Sequence, residues 1–246
     1  MAADSKSPLR RRASRIAAKL RDAVPGLDGV CLFGSVARGD AVRSSDIDLL
    51  IFTGDPALGP VAVLKLLPES LRAQVSIVCC PVDAFYTRYR RRPDFISHIR
   101  QESDLLYDRD GSVREMLTRQ YSPDGFREGV ASCLRQLNLY RDTAPYRSNY
   151  LFCLADLYSI GRGLVSLALA SDGTPEFNRA RAFDRFAAAY PALRRELRSV
   201  SSLEPFHALV NGRNPAALPF SYRRGAPAVR RAVAAIEKVA QVITAP

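Results

Sequence analysis

Two neighbouring pieces of the chain decide its fold: Leu32-Phe-Gly-Ser-Val-Ala-Arg-Gly-Asp40 and, after five residues, Asp46-Ile-Asp-Leu-Leu-Ile-Phe52. The first is entered through Val30, Cys31, Leu32 and Phe33, an unbroken apolar run that predicts a short buried strand over Gly29–Phe33. Gly34 then lets the backbone turn with no Cβ in the way. Ser35 offers a hydroxyl and an N–H at the start of a short helix, where unpaired amides favour a phosphate. Arg38, one turn on, adds positive charge. In the second piece Asp46 and Asp48 flank Ile47 on a strand predicted over Asp46–Phe52. Period-2 geometry puts both carboxylates on one face and turns Ile47 to the core. Two acids so placed repel unless a cation lies between them, and Mg²⁺ prefers carboxylate and phosphate oxygens. A D-x-D strand or a Gly-Ser turn alone is a common pattern. In this order, each after or on a strand, they describe a turn that grips phosphates beside an acid pair that holds the bridging metal.

Outward from this centre, Ile16, Ala17 and Leu20 recur at helical spacing among Arg and Lys. They predict an amphipathic basic helix over Arg10–Val24, whose polar face is either solvated or an RNA patch. Pro25-Gly26 ends it. Beyond the acid pair the expected order is a helix Val61–Ala73, a strand Val75–Cys80, helices Val82–Arg92 and Pro93–Ser103, and a short edge strand Leu105–Tyr107. After Gly111 strand signals stop. Helical patterns run over Ser112–Arg119, Pro123–Arg141, Ser148–Ala170, Pro175–Ala189, Pro191–Val200 and Ala226–Val242, several opening on the Ser or Pro that suits helix entry. The fold class is therefore α+β: a mixed-sheet domain over residues 1–110, then an all-α helical bundle over 111–246, with an acceptor expected between them.

The chain of 246 residues, 47% hydrophobic, is long enough to bury a core and too apolar for global disorder. Its most apolar stretch, Leu151–Ala170, is interrupted by Asp156 and Arg162. It reads as a core helix and gives no expectation of a membrane partner. The polar, basic start lacks the apolar stretch of a secretory signal. Cys31, Cys79, Cys80, Cys133 and Cys153 form no C-x-x-C pair, and three sit in apolar runs. Buried free thiols in a reducing cytoplasm are expected, without a zinc site. The net charge of +11 favours polyanions such as triphosphates or RNA, although heavy Arg and Ala usage also follows from a GC-rich genome.

The motif Gly34-Ser35, then Ala37-Arg38-Gly39, then Ser45-Asp46-x-Asp48-Leu49 resembles the nucleotidyltransferase superfamily typified by DNA polymerase beta. It is most similar to the branch of minimal and aminoglycoside nucleotidyltransferases. The resemblance covers roughly residues 27–110, and Gln101-Glu-Ser-Asp-Leu-Leu-Tyr107 is similar to the family's closing segment. The helical half looks, more loosely, like the helical domains fused to such enzymes. The resemblance implies transfer of a nucleoside monophosphate from a triphosphate such as ATP to an acceptor hydroxyl, with pyrophosphate leaving. It implies Gly34, Ser35, Arg38 and Ser45 as nucleotide-binding residues and Asp46 and Asp48 as ligands of Mg²⁺. It also implies a homodimer. The acceptor stays open among an antibiotic, another small metabolite, RNA and a protein side chain.

One position departs from the family. A third carboxylate usually stands on the next strand, and the matching residue here is Ser76. A hydroxyl cannot carry the charge that completes a metal clamp. Three explanations stand: an acid from elsewhere, with Asp156 the first candidate catalytic residue; a catalytically silent nucleotide- or RNA-binding module; or a different register of the third strand. Asp83, Glu102 and Asp104 read as solvated or capping residues. Tyr86, Tyr89, Arg88 and Arg90–Arg92 read as an exposed helix end or an RNA platform. Arg162, between Gly161 and Gly163, reads as a packing notch or as a reach toward the triphosphate. Tyr140, Tyr146, Tyr150 and Tyr158 read as core or interface packing, or as the lining of a cleft between the halves. The only His of the helical half, His207, lacks the neighbouring Arg of a HEPN-type ribonuclease.

Overall fold

The computed structural model describes residues 7–42, 45–121, 125–146, 149–212 and 217–245, which divide into two compact units. The first holds α1 (Pro8–Ala23), β1 (Leu27–Phe33), α2 (Gly34–Arg38), β2 (Ile47–Thr53), α3 (Pro60–Leu66), α4 (Glu69–Arg72), β3 (Val75–Cys80), α5 (Phe85–Tyr89), most of α6 (Pro93–Glu102), β4 (Asp104–Asp108) and α7 (Ser112–Thr118). The strands form one mixed sheet of order β3-β2-β1-β4. β1 is antiparallel to both β2 and β4, and β2 is parallel to β3.

Alternation along β2 explains what lies on each face of this sheet. Ile47, Leu49 and Ile51 join Leu32 of β1 and the apolar stripe Ala13, Ile16, Ala17 and Leu20 of α1. Leu50 and Phe52 join Cys31, Phe85 of α5 and Ile96 and Ile99 of α6. Asp48 belongs by alternation to this second face, at the end of the apolar run.

Several expected elements change at identifiable residues. The helix expected over Val61–Ala73 is broken into α3 and α4, because Leu67, ahead of Pro68, is pushed to ψ 149°. The helix expected over Val82–Arg92 shrinks to α5, and β2 begins at Ile47 rather than Asp46. The units divide near residue 122 and not near 110. The reason is α7: Val113 is fully buried with Cys31 and Phe52, and the Cβ absent from Gly29 of β1 would lie 2.6 Å from its methyl.

The second unit holds α8 (Phe126–Leu137), α9 (Leu151–Ser171), α10 (Arg179–Ala189), α11 (Arg194–Ser201), α12 (Glu204–Val210) and α13 (Ala226–Thr244). The helix starts expected at Pro123 and Ser148 lie outside the described residues. Among the described residues α9 alone is long and apolar enough to cross a membrane, and most of it is buried against its neighbours in this unit. Its core contacts come from all sides, including Val130 of α8, Phe183 of α10, Val200 of α11, Phe206 of α12 and Ile236 of α13.

Candidate active site

Phe33 pairs with Asp48 across the antiparallel β1–β2 ladder, so the chain leaves β1 directly beside that acid. The next residue, Gly34, has φ +75°. A Cβ built on it would lie 2.2 Å from Oδ2 of Asp48 and 3.1 Å from the carboxyl carbon. Glycine is therefore required twice: for the left-handed turn and for the room the carboxylate occupies. α2 follows at once, with no side-chain cap at its start, and Gly39 closes it with φ +83° and an N–H donated to Ser35 O. Ser35 is half-buried at the head of this turn. Asp46 immediately precedes β2, and Asp46 and Asp48 are both half-buried.

Ser45 shapes the approach to the acids. Its Oγ accepts a hydrogen bond of 2.9 Å from the Val42 N–H, and its own N–H donates to Val42 O at 2.9 Å. Arg38 has specific partners. Its Nη1 is 3.2 Å from Glu102 Oε2 and 3.4 Å from His98 Nε2, and its Nε is 3.3 Å from Asp40 Oδ2. Two carboxylates thus engage a guanidinium that is only 13% exposed, which fastens the end of α2 to α6. His98 stands edge-on to Phe33, the last residue of β1, with ring centroids 5.7 Å apart. His98 and Glu102, the latter read from sequence as solvated or capping, are supporting residues of the turn. The one available signal was Glu102 within the closing Gln101–Tyr107 segment.

The parallel register pairs Asp48 with Ser76, so the serine occupies the strand position beside the acid, and it is exposed. This register retains the serine departure. Among the described residues no group of three or more His, Cys, Asp or Glu comes together as a metal cage. The arrangement offers two acids and a hydroxyl. Asp156 is exposed on α9 in the helical unit and accepts a hydrogen bond from the Tyr140 hydroxyl. Burial first, then that bond, pushes the Tyr140 phenol well above its ordinary range.

Other singled-out residues prove to be packing. Tyr86 stacks on Tyr121 and donates to Met116 O at 2.7 Å, and Tyr89 lies 4.7 Å from Phe95, so neither ring is an open platform. Tyr158 is buried against Phe183 and His207.

The family described as "Nucleotidyltransferase domain" matches residues 13–118, which span the sheet, the Gly34-Ser35 turn and both acids. Residues 13–118 are a nucleotidyltransferase domain. Among solved structures, the spectinomycin adenyltransferase AAD(9) from Enterococcus faecialis, crystallised with ATP and spectinomycin, is similar over 93% of this chain and 98% of its own, with TM-score 0.54 and 11% identity. That likeness speaks for the fold alone: an α+β nucleotidyltransferase-type domain followed by a helical region. A nucleotidyltransferase-like protein from Exiguobacterium sibiricum is similar over 94% of this chain and 74% of its own, at 15% identity and TM-score 0.38. A toxin–antitoxin structure with AMP-PNP is similar over 51% of this chain and 90% of its own, at 17% identity and TM-score 0.34. Neither of these last two superposes well enough to carry an argument. No curated protein matches the chain in sequence.

Proposed function

We propose that this nucleotidyltransferase moves a nucleoside monophosphate from a nucleoside triphosphate, ATP in the first instance, to an acceptor hydroxyl, with release of pyrophosphate. The observation that supports this most is the contact of Asp48 with Gly34. It sets a carboxylate against the backbone of the turn whose amides at Ser35 and beyond carry no side-chain cap. Gly34 and Ser35 are assigned the terminal phosphates. Ser45 holds the loop that delivers Asp46, and Arg38 positions α2 through Glu102 and Asp40. Asp46 and Asp48 fit a divalent cation such as Mg²⁺, since both offer hard oxygen donors and the missing Cβ of Gly34 leaves the Asp48 carboxylate its space. Bound there, the cation would neutralise charge on the phosphate oxygens. What remains for the chain is positioning and charge stabilisation.

Asp156 is the acid assigned to the acceptor's proton, as the resemblance to antibiotic-modifying members implies. Its exposure and its bond from Tyr140 leave one carboxylate oxygen for other partners. The acceptor class proposed first is a hydroxyl-bearing small molecule such as an antibiotic or metabolite, with RNA or a protein side chain as further arms of the same assay. A second reading, a silent nucleotide- or RNA-binding module, is favoured by one observation: Ser76 where a third acid would stand.

A transfer assay with radiolabelled triphosphate and Mg²⁺ separates the two readings. Asp46→Asn or Asp48→Asn is expected to lower transfer at least about a hundredfold with the melting temperature little changed. Asp156→Asn is expected to slow transfer without weakening triphosphate binding. Unchanged turnover in both acid-pair variants removes those residues from the mechanism. Triphosphate binding by calorimetry without transfer to any acceptor class favours the silent module.

A further inference from the structure

The acid pair lies on one side of the sheet, and a basic pocket with no part in the proposed reaction lies on the other. A cavity of about 290 Å³ opens between α1 and α4, lined by Arg12, Arg15 and Lys19 at its rim and by Ile16, Pro68 and Leu71. α1 packs its apolar stripe on the Leu49–Ile51 face of β2, so this cavity stands behind the sheet from the Asp48 face.

What distinguishes the pocket from an ordinary solvated helix face is that three cations line one concavity. Several arginines elsewhere in the unit are matched: Arg10 with Asp104, Arg38 with Glu102, Arg109 with Asp28, and Arg72 and Arg100 with backbone carbonyls. Among the described residues Arg12 meets only the neutral amide oxygen of Gln74. Among the described residues Arg15 and Lys19 make no hydrogen bond or ion pair, and both are exposed. Among the described residues no acid lines the cavity, and the one acid of α1, Asp22, is paired with Arg21. Arg15 and Lys19 are one turn apart on α1, a like-charge spacing that weakens a helix when nothing neutralises it.

We propose that this pocket binds a phosphate ester by its phosphate group, either a free nucleotide or one unit of a nucleic-acid strand. The guanidinium of Arg15 presents the planar fork that phosphate oxygens match, and Lys19 adds a point charge one turn along. The aliphatic wall of Ile16, Pro68 and Leu71 lies alongside the rest of the ester. The volume lies at the small end of the range for ligand pockets, so one phosphate-bearing unit fills it. The wall holds no aromatic ring, so recognition rests on the phosphate and on shape rather than on base stacking.

The test uses the full chain carrying Asp48→Asn, in EDTA, so that metal-dependent binding at the acid pair does not contribute. Inorganic phosphate, AMP and a single-stranded RNA oligonucleotide are titrated separately. Arg15→Glu with Lys19→Glu is expected to weaken binding at least about tenfold. A loss seen with AMP and phosphate makes a free ester the ligand. A loss confined to the oligonucleotide, with the salt slope shallower by about 1.4, makes a strand the ligand. Both residues are exposed, so melting should hold; if it does not, Arg15→Gln with Lys19→Gln decides. Affinities unchanged by the substitutions, or no binding of any probe by the unsubstituted pocket, overturn the proposal. Because every arm runs without divalent metal, either outcome leaves the transfer reading untouched.

Discussion

At the scale of single residues the site turns on the absence of one carbon atom. Gly34→Ala has two effects that can be separated. The positive φ costs an alanine about 1 kcal/mol of stability. The new Cβ also falls on Oδ2 of Asp48, which is the far end of a side chain and can rotate away. The fold should therefore survive with a melting temperature a few degrees lower, while transfer falls by far more than stability, because the displaced group is the proposed metal ligand. A variant that loses stability but keeps full transfer would mean that Asp48 does not act where it sits. Ser76 invites the opposite experiment. It is exposed and in register with Asp48, so Ser76→Asp adds a third carboxylate at the strand position beside the acid pair at little cost to folding. The expected result is a several-fold gain in divalent-cation affinity by calorimetry. No change in that affinity would show that the missing acid is not what limits this site.

At the scale of elements, the same logic of missing atoms governs how α9 packs. A Cβ on Gly161 would lie 2.4 Å from a Val200 methyl of α11 and 3.4 Å from Ile236 of α13. Helix propensity alone predicts that Gly161→Ala stabilises α9 by about 1 kcal/mol. Overpacking predicts a loss of about 1–3 kcal/mol, and it should win because a β-branched valine cannot swing aside. Denaturant unfolding should show the loss, and adding Val200→Ala should recover much of it. If Gly161→Ala proves stabilising, α9 and α11 are not held that closely. The elements also show what could be read from sequence. The D-x-D strand, the turn at Gly34 and the succession of helices after the sheet follow from short-range alternation, small residues and caps, so they were legible. Two kinds of feature were not. Pro68 divides a helix that apolar periodicity carried through, because the periodicity ignores the geometry forced on Leu67. α12, whose Phe206 is fully buried, was not recognised as a helix, because its short Glu204–Val210 run shows too little periodicity. The engagement of Arg38 by Glu102 spans 64 residues, and no local pattern announces it.

At the scale of the whole molecule, charge and buried thiols set opposite responses to alkali. The chain carries +11 at neutral pH, and raising the pH lowers that charge, which relieves self-repulsion. The cysteines act the other way. Burial, the largest cause, pushes the Cys31 thiol from its ordinary 9.0 up to about 12, and Cys79, Cys133 and Cys153 up to about 11. These groups are acids whose neutral form is favoured in the fold. The unfolded chain therefore loses its protons first, and stability present below pH 9 is lost as the pH rises through the folded values. Cys31 is fully buried in β1, so its contribution needs little discount for solvent: three pH units correspond to at most about 4 kcal/mol. The net slope of the whole protein mixes both responses, but one substitution isolates the thiol. Cys31→Val keeps an apolar side chain of similar size in the same strand and removes the titrating group. The difference in melting temperature between this variant and the parent should be flat up to about pH 9. It should then widen in the variant's favour towards pH 11 as the parent pays the thiol penalty alone. A difference that stays constant across that range would mean that the Cys31 thiol ionises as readily in the folded chain as in the unfolded one, and that the sheet does not seal β1 from water.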